Sequence, residues 1–166
     1  LYEKFKRKEG TLDWTDLDYW SDKLGLDIEM LKMQVDHLIG VHPYVPEFLK
    51  FCKDIGKKVY LVTNAHSKTL KIKLDKTLIG EYFDEIVCSC DVGLPKEDPE
   101  FWHRVENTLH YDKATSLLAD DTEAVLDSAA EYGIRNLIYV AKPSSKEDVE
   151  FSQKYPSIVY FKELMP

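Results

Sequence analysis

Apolar residues in the first forty positions recur at three- and four-residue spacing and never gather into a compact run. Leu17, Trp20 and Leu24 share one helical face, with Asp16, Asp22 and Lys23 among the polar positions. The spacing predicts helices over 2–9, 15–24 and 28–39, with Gly10 and Gly25 as C-terminal stops. From Val41 the rhythm changes to an alternation of helix and strand. Pro46 opens a helix through Phe48, Leu49 and Cys52 that Gly56 ends. An apolar strand follows over 59–63, and then a helix with Ser67 as its cap and Leu70, Leu74 and Leu78 along one side. A second strand covers 85–89. Asp98, with Pro99 at the first helical position, starts a helix buried through Phe101, Trp102, Val105 and Leu109. The pattern continues with a strand over 116–119, a helix over 122–132 stopped by Gly133, a strand over 136–140 and a short edge strand over 158–161.

Strands alternating with helices of this length imply βαβ units and a mostly parallel sheet covered on both faces, an α/β fold of Rossmann-like type. The expected division is a helical segment over 1–40 and an α/β core over 41–166. A chain of 166 residues is long enough to bury a substantial core. Its formal charge of −8 argues against an open groove for a nucleic-acid polymer, whose protein surfaces are usually basic, but leaves room for a small anionic substrate. No apolar run approaches a membrane span, and no signal peptide is visible. Cys52, Cys88 and Cys90 form no CxxC motif and cannot all pair, and Cys88 and Cys90 fall two apart in one predicted strand. They read as small hydrophobes in a reducing cytoplasm.

In open α/β sheets, ligands bind beyond the carboxyl ends of the strands. Two predicted strands deliver chemistry to such ends, one Thr63-Asn64 and the other Asp120-Asp121, while Lys96 lies in a loop bounded by Pro95 and Pro99. Taken singly, each has a plainer reading: a turn, a solvated charge and a helix cap. Together they supply a hydroxyl with adjacent backbone N–H groups for phosphate oxygens, an ammonium, and a carboxylate pair. Two unit charges about 4 Å apart interact by about 4 kcal/mol at an effective dielectric of 20. Carboxylates facing a phosphate dianion therefore call for cations, and Mg²⁺ favours oxygen ligands shared between protein and phosphate. Phosphoryl transfer rests mainly on positioning and charge stabilisation, so only the attacking group is lacking from this set.

The order of these segments resembles the haloacid dehalogenase superfamily of phosphohydrolases, over residues 41 to about 142. Those enzymes use a first-strand DxDx[TV] motif, a strand ending in Ser or Thr, a loop Lys and a strand ending in acidic residues. The resemblance implies that Thr63 and Asn64 bind phosphate and that Lys96 stabilises charge. Asp120 would hold Mg²⁺, with Asp121 in support. Ala124 and Val125 occupy a stretch where several branches place a further acid or amide. Leu17-Asp18-Tyr19-Trp20 through Leu26-Asp27, Thr63-Asn64-Ala65-His66 and Pro95-Lys96-Glu97-Asp98 resemble, more narrowly, the bacterial GMP/IMP 5′-nucleotidase branch. That branch inserts a helical cap after its first strand and hydrolyses purine nucleoside monophosphates through an aspartyl-phosphate.

The first motif is absent from the 166 residues. Only Asp16-Leu17-Asp18 has the DxD spacing, and no apolar strand precedes it. In the predicted helix the two carboxylates would lie about 200° apart around the axis. The expectation is that a preceding segment carries the nucleophile and the central strand. Without that strand, two sheet edges would stay unpaired and the fragment alone would be inactive. His66 has two readings, a substrate contact and a cap of the next helix. Trp14, Tyr19 and Trp20 read as packing residues that could also stack on a purine. The other histidines show no metal spacing. A receiver-type phosphoacceptor uses similar residues but places its acid pair first, which is the wrong order here. The remaining alternatives are a catalytically inactive, truncated domain acting as a binding or scaffold partner and a phosphatase of the same superfamily acting on another small phosphomonoester.

Overall fold

A computed structural model describes residues 2–166. In chain order its elements begin with helices α1 (Tyr2–Lys6), α2 (Leu12–Thr15), α3 (Leu17–Leu24), α4 (Ile28–Gln34) and α5 (Val45–Asp54). Strand β1 (Tyr60–Thr63), α6 (Ser67–Thr77), β2 (Glu85–Cys88), α7 (Ser89–Val92) and α8 (Pro99–Leu109) follow. The chain closes with β3 (Leu117–Asp120), α9 (Glu123–Tyr132), β4 (Asn136–Val140) and β5 (Ser157–Ile158). Single 3-10 turns lie at Asp36–Leu38, Gly80–Tyr82 and Phe161–Leu164. Every strand pairing is parallel, as the βαβ alternation requires. The strands form two sheets, β1-β2 and β3-β4-β5.

Two compact units result, Leu1–Gly40 with Tyr60–Pro95 and Val41–Val59 with Lys96–Pro166. In the first, β1 and β2 run in register with Thr63 opposite Cys88. The helix expected over 15–24 is two pieces. Asp16 takes an extended conformation and accepts the N–H groups of Asp18 and Tyr19 at 2.8 and 3.0 Å, so α3 starts after it. Gly25 ends α3 in the left-handed conformation, with φ of 64°, donating its N–H to Ser21. Asp27 caps α4 through the Met30 N–H at 2.8 Å. The cap of α6 is His66 and not Ser67, because the Nδ1 of His66 accepts the N–H of Lys68. Leu78 does not line the inner side of that helix. The chain turns left-handed there, with φ of 57°, and leaves its side chain 75% exposed. The strand expected over 85–89 stops at Cys88, where the backbone turns into α7, so Cys90 is helical and exposed.

In the second unit, α9 packs on β3 and β4, and α8 packs on α9, with Phe101, Trp102, Val105 and Leu109 of α8 and Val125, Leu126 and Ala129 of α9 all buried. Each large apolar side chain buried this completely contributes about 1.5–3 kcal/mol. Asp98 caps α8 by accepting the Glu100 N–H at 2.9 Å, and Pro99 supplies the preset φ of the first turn. Parallel register sets Asp120 opposite Tyr139 and Val140 opposite Ile158. The edge strand is shorter than the predicted 158–161. Beyond it the chain turns, and Phe161 stacks on Phe48 of α5 with ring centroids 5.0 Å apart.

Candidate active site

Strand β3 is short and ends on a carboxylate because the chain leaves the sheet at Asp120 to start α9. Asp120 Oδ1 accepts the N–H of Thr122 at 3.0 Å, which ties the side chain to the turn. Its Oδ2 pairs with the ammonium of Lys96. Both are nearly out of water, with side-chain exposures of 12% for Lys96 and 7% for Asp120. Burial pushes the Asp120 carboxyl above the usual carboxylate range, and the neighbouring Asp121 adds to this. Lys96 and the Thr122 N–H pull it the other way. Asp121 itself is exposed.

The Lys96 backbone is fixed by two residues whose part in the site the sequence reading did not foresee. Ser128 Oγ, on α9, lies 2.5 Å from the Lys96 carbonyl oxygen. The Trp102 indole, on α8, donates to that carbonyl at 3.1 Å and to Ser128 Oγ at 2.9 Å. The signal available was a serine on the apolar face of a helix, between Val125, Leu126 and Ala129, where a hydroxyl needs a partner.

Thr63 and Asn64 belong to the other unit, at the end of β1. Thr63 Oγ1 accepts the Ala65 N–H at 3.0 Å, and the hydroxyl proton is left to donate. The Asn64 carbonyl accepts from Thr15 Oγ1 at 2.6 Å, so α2 holds the turn in place. His66 takes the capping role. With Nδ1 accepting from Lys68, Nε2 carries the proton and lies 3.7 Å from Asp16 Oδ1. The DxD spacing of Asp16 and Asp18 forms no nucleophile pair. Asp16 caps α3, and Asp18 pairs with Lys68 at 2.7 Å.

Hard oxygen donors at a strand end, one of them a buried carboxylate disfavoured in its charged form, suit a small divalent cation such as Mg²⁺. Asp120 is the residue that fits the ligand role, with Asp121 beside it. Two further groups draw together in the first unit, Asp16 with Asp18 and His66, and Cys88 with Cys90 and Asp91.

A buried ammonium–carboxylate pair at the carboxyl end of a parallel strand stands where open α/β proteins bind their ligands. The family model for haloacid dehalogenase-like hydrolases matches residues 4–133, and the chain belongs to that family. It is 34% identical over 166 residues to the GMP/IMP nucleotidase YrfG of Escherichia coli (strain K12), covering all of this chain and 75% of that protein. The same figures hold for the Shigella flexneri counterpart. Among solved structures, the HAD phosphatase from Thermococcus onnurineus superposes with a TM-score of 0.78 at 20% identity, over 98% of this chain and 75% of its own. The putative beta-phosphoglucomutase from Thermotoga maritima gives 0.71 at 20% identity, over 99% and 81%. These likenesses show a shared fold, and the chain is a hydrolase of the haloacid dehalogenase family.

Proposed function

We propose that this chain carries most of a phosphatase that hydrolyses purine nucleoside 5′-monophosphates, GMP and IMP, through an aspartyl-phosphate. The 34% identity to a GMP/IMP nucleotidase supports the substrate, and the buried Lys96–Asp120 pair supports the chemistry. In this reading Thr63 and the N–H groups of the Asn64 turn hold the phosphate oxygens. Lys96, kept in place by Trp102 and Ser128, neutralises charge that builds on the transferring group. Asp120 holds Mg²⁺ and Asp121 supports it. The cation supplies charge stabilisation at the phosphoryl oxygens.

Residues 1–40 form part of a helical cap and 41–166 the core. No DxDx[TV] motif occurs in these 166 residues, so the attacking aspartate of this reading is not among the residues assigned here. The substrate is a small phosphorylated molecule, and the enzyme works in the cytoplasm. Among the described residues no helix is long and apolar enough to cross a membrane.

The test is phosphate release from IMP and GMP by the full-length polypeptide. Lys96→Ala and Asp120→Asn should each lower turnover by at least about a hundredfold while the circular dichroism spectrum is retained. Turnover within about fivefold of the parent in either variant refutes the assignment.

A further inference from the structure

Strand β2 ends at Cys88, and the chain passes at once into the single turn of α7, closed by the Ser89 carbonyl, which accepts the Gly93 N–H at 2.9 Å. Gly93 stops that turn in the left-handed conformation, with φ of 79°. Had the strand run on, Cys88 and Cys90 would lie one strand repeat apart, roughly 7 Å. The turn instead brings Cys90 and Asp91 round to the Cys88 thiol. The two sulfurs and a carboxylate oxygen of Asp91 all lie within 4.8 Å of one another, and Cys90 Sγ is 3.8 Å from Asp91 Oδ1.

Two thiols and a carboxylate suit a softer ion than Mg²⁺, because thiolate ligands select Zn²⁺ and its neighbours over hard cations. Tetrahedral Zn²⁺, with Zn–S bonds of about 2.3 Å, sets its sulfurs roughly 3.8 Å apart. Small side-chain rotations close the observed separations onto such an ion. Cys88 is buried and Asp91 exposed, so the three donors run from the core out to water. Burial pushes the Cys88 thiol up to about 11, and the negative charge that Cys90 and Asp91 can carry adds to this. A divalent cation offsets that repulsion. Among the described residues, Asp91 makes its side-chain contact with Cys90 and not with a cation. The trio of Asp16, Asp18 and His66 is already engaged: Asp16 accepts two backbone N–H groups, Asp18 pairs with Lys68, and His66 caps α6.

We propose that Cys88, Cys90 and Asp91 form a binding site for Zn²⁺, distinct in its chemistry from the Mg²⁺ role of Asp120. Loading releases two thiol protons to the buffer and forms two metal–sulfur bonds, with nothing oxidised or reduced. Water takes the fourth position. The ion ties the end of β2 to α7, beside Thr63, which stands opposite Cys88 in the parallel register. The site stands independently of the phosphatase reading.

Cobalt titration of the full-length protein, reduced and stripped of metal, tests it. Co²⁺ occupies zinc sites and reports thiolate ligation by sulfur-to-cobalt absorption in the near ultraviolet. One equivalent should develop the band, Zn²⁺ should bleach it, and about a hundredfold excess of Mg²⁺ should not. Cys90→Ser and Asp91→Asn change exposed positions, so both should keep the parent circular dichroism spectrum. Cys90→Ser should weaken binding at least about a hundredfold and Asp91→Asn about tenfold. Cys52→Ser, in the other unit, should leave it unchanged. Zn²⁺ should also raise the melting temperature of the parent and not that of Cys90→Ser. A parent without the band overturns the proposal, whatever the protein does to phosphate esters. So does a Cys90→Ser or Asp91→Asn variant whose affinity stays within about twofold of the parent, or a band lost in Cys52→Ser.

Discussion

Replacing Lys96 with Met tests whether the pair at the end of β3 is as buried and as mutually dependent as the structure describes. Methionine preserves most of the stem and deletes the charge, leaving Asp120 7% exposed without its cation. Breaking a buried ion pair at one partner costs about 3–5 kcal/mol, and the Thr122 N–H retained on Oδ1 argues for the lower end. At 166 residues each kcal/mol moves the midpoint by about 2–4 °C, so about 3 kcal/mol lowers it by about 6–12 °C. The sign of the pH dependence is fixed as well. Burial already holds the Asp120 carboxyl above its unfolded value of 3.8, and Lys96 opposes that shift. Without Lys96 the folded value rises further. The folded state then binds the proton more readily than the unfolded chain, and the deficit shrinks as pH falls towards the unfolded value. Urea denaturation at about pH 7.5 and about pH 5 should show the larger loss at the higher pH. Lys96→Met/Asp120→Asn should recover most of it, since no lone charge stays buried. A loss below about 1 kcal/mol, an equal loss at both pH values, or a double variant as unstable as the single one refutes the reasoning.

Ser128→Ala should cost about 1–2 kcal/mol in urea denaturation, because the buried hydroxyl joins the Lys96 carbonyl to the Trp102 indole. A cost near zero would show that the indole alone anchors the lysine loop. Cys90 is exposed, whereas burial and the neighbouring Cys90 and Asp91 push the Cys88 thiol up to about 11. At pH 8 about one Cys88 in a thousand is thiolate, so a disulfide-exchange reagent should modify Cys90 quickly and Cys88 only after unfolding. A fast thiol that persists in Cys90→Ser contradicts this.

Elements whose ends depend on local chemistry were readable from the chain. Asp98-Pro99 opens α8 and Gly133 closes α9 because caps, fixed φ values and left-handed stops are decided within a few residues. The break at Asp16 was not readable. An aspartate inside a helical pattern either continues the helix or withdraws to cap it, and periodicity is the same for both. Leu78 matched the apolar spacing of α6, yet the helix ends at Thr77 and the chain turns at Leu78 itself. At the site, the strand-end positions of Thr63 and Asp120 followed from the alternation of elements. The clamp on Lys96 did not. Ser128 is thirty-two residues from the lysine it holds, and such contacts have no local signature beyond a misplaced hydroxyl.

The indole that holds the Lys96 carbonyl also turns this loop into its own optical probe. Trp102 is 2% exposed and sits against a hydroxyl and a carbonyl, while the other two tryptophans, Trp14 and Trp20, belong to the other unit. With those two replaced by phenylalanine, emission at the red or blue end would report whether the lysine loop is closed on α9 or released. Order at the Lys96 ammonium could thus be followed in real time without any label.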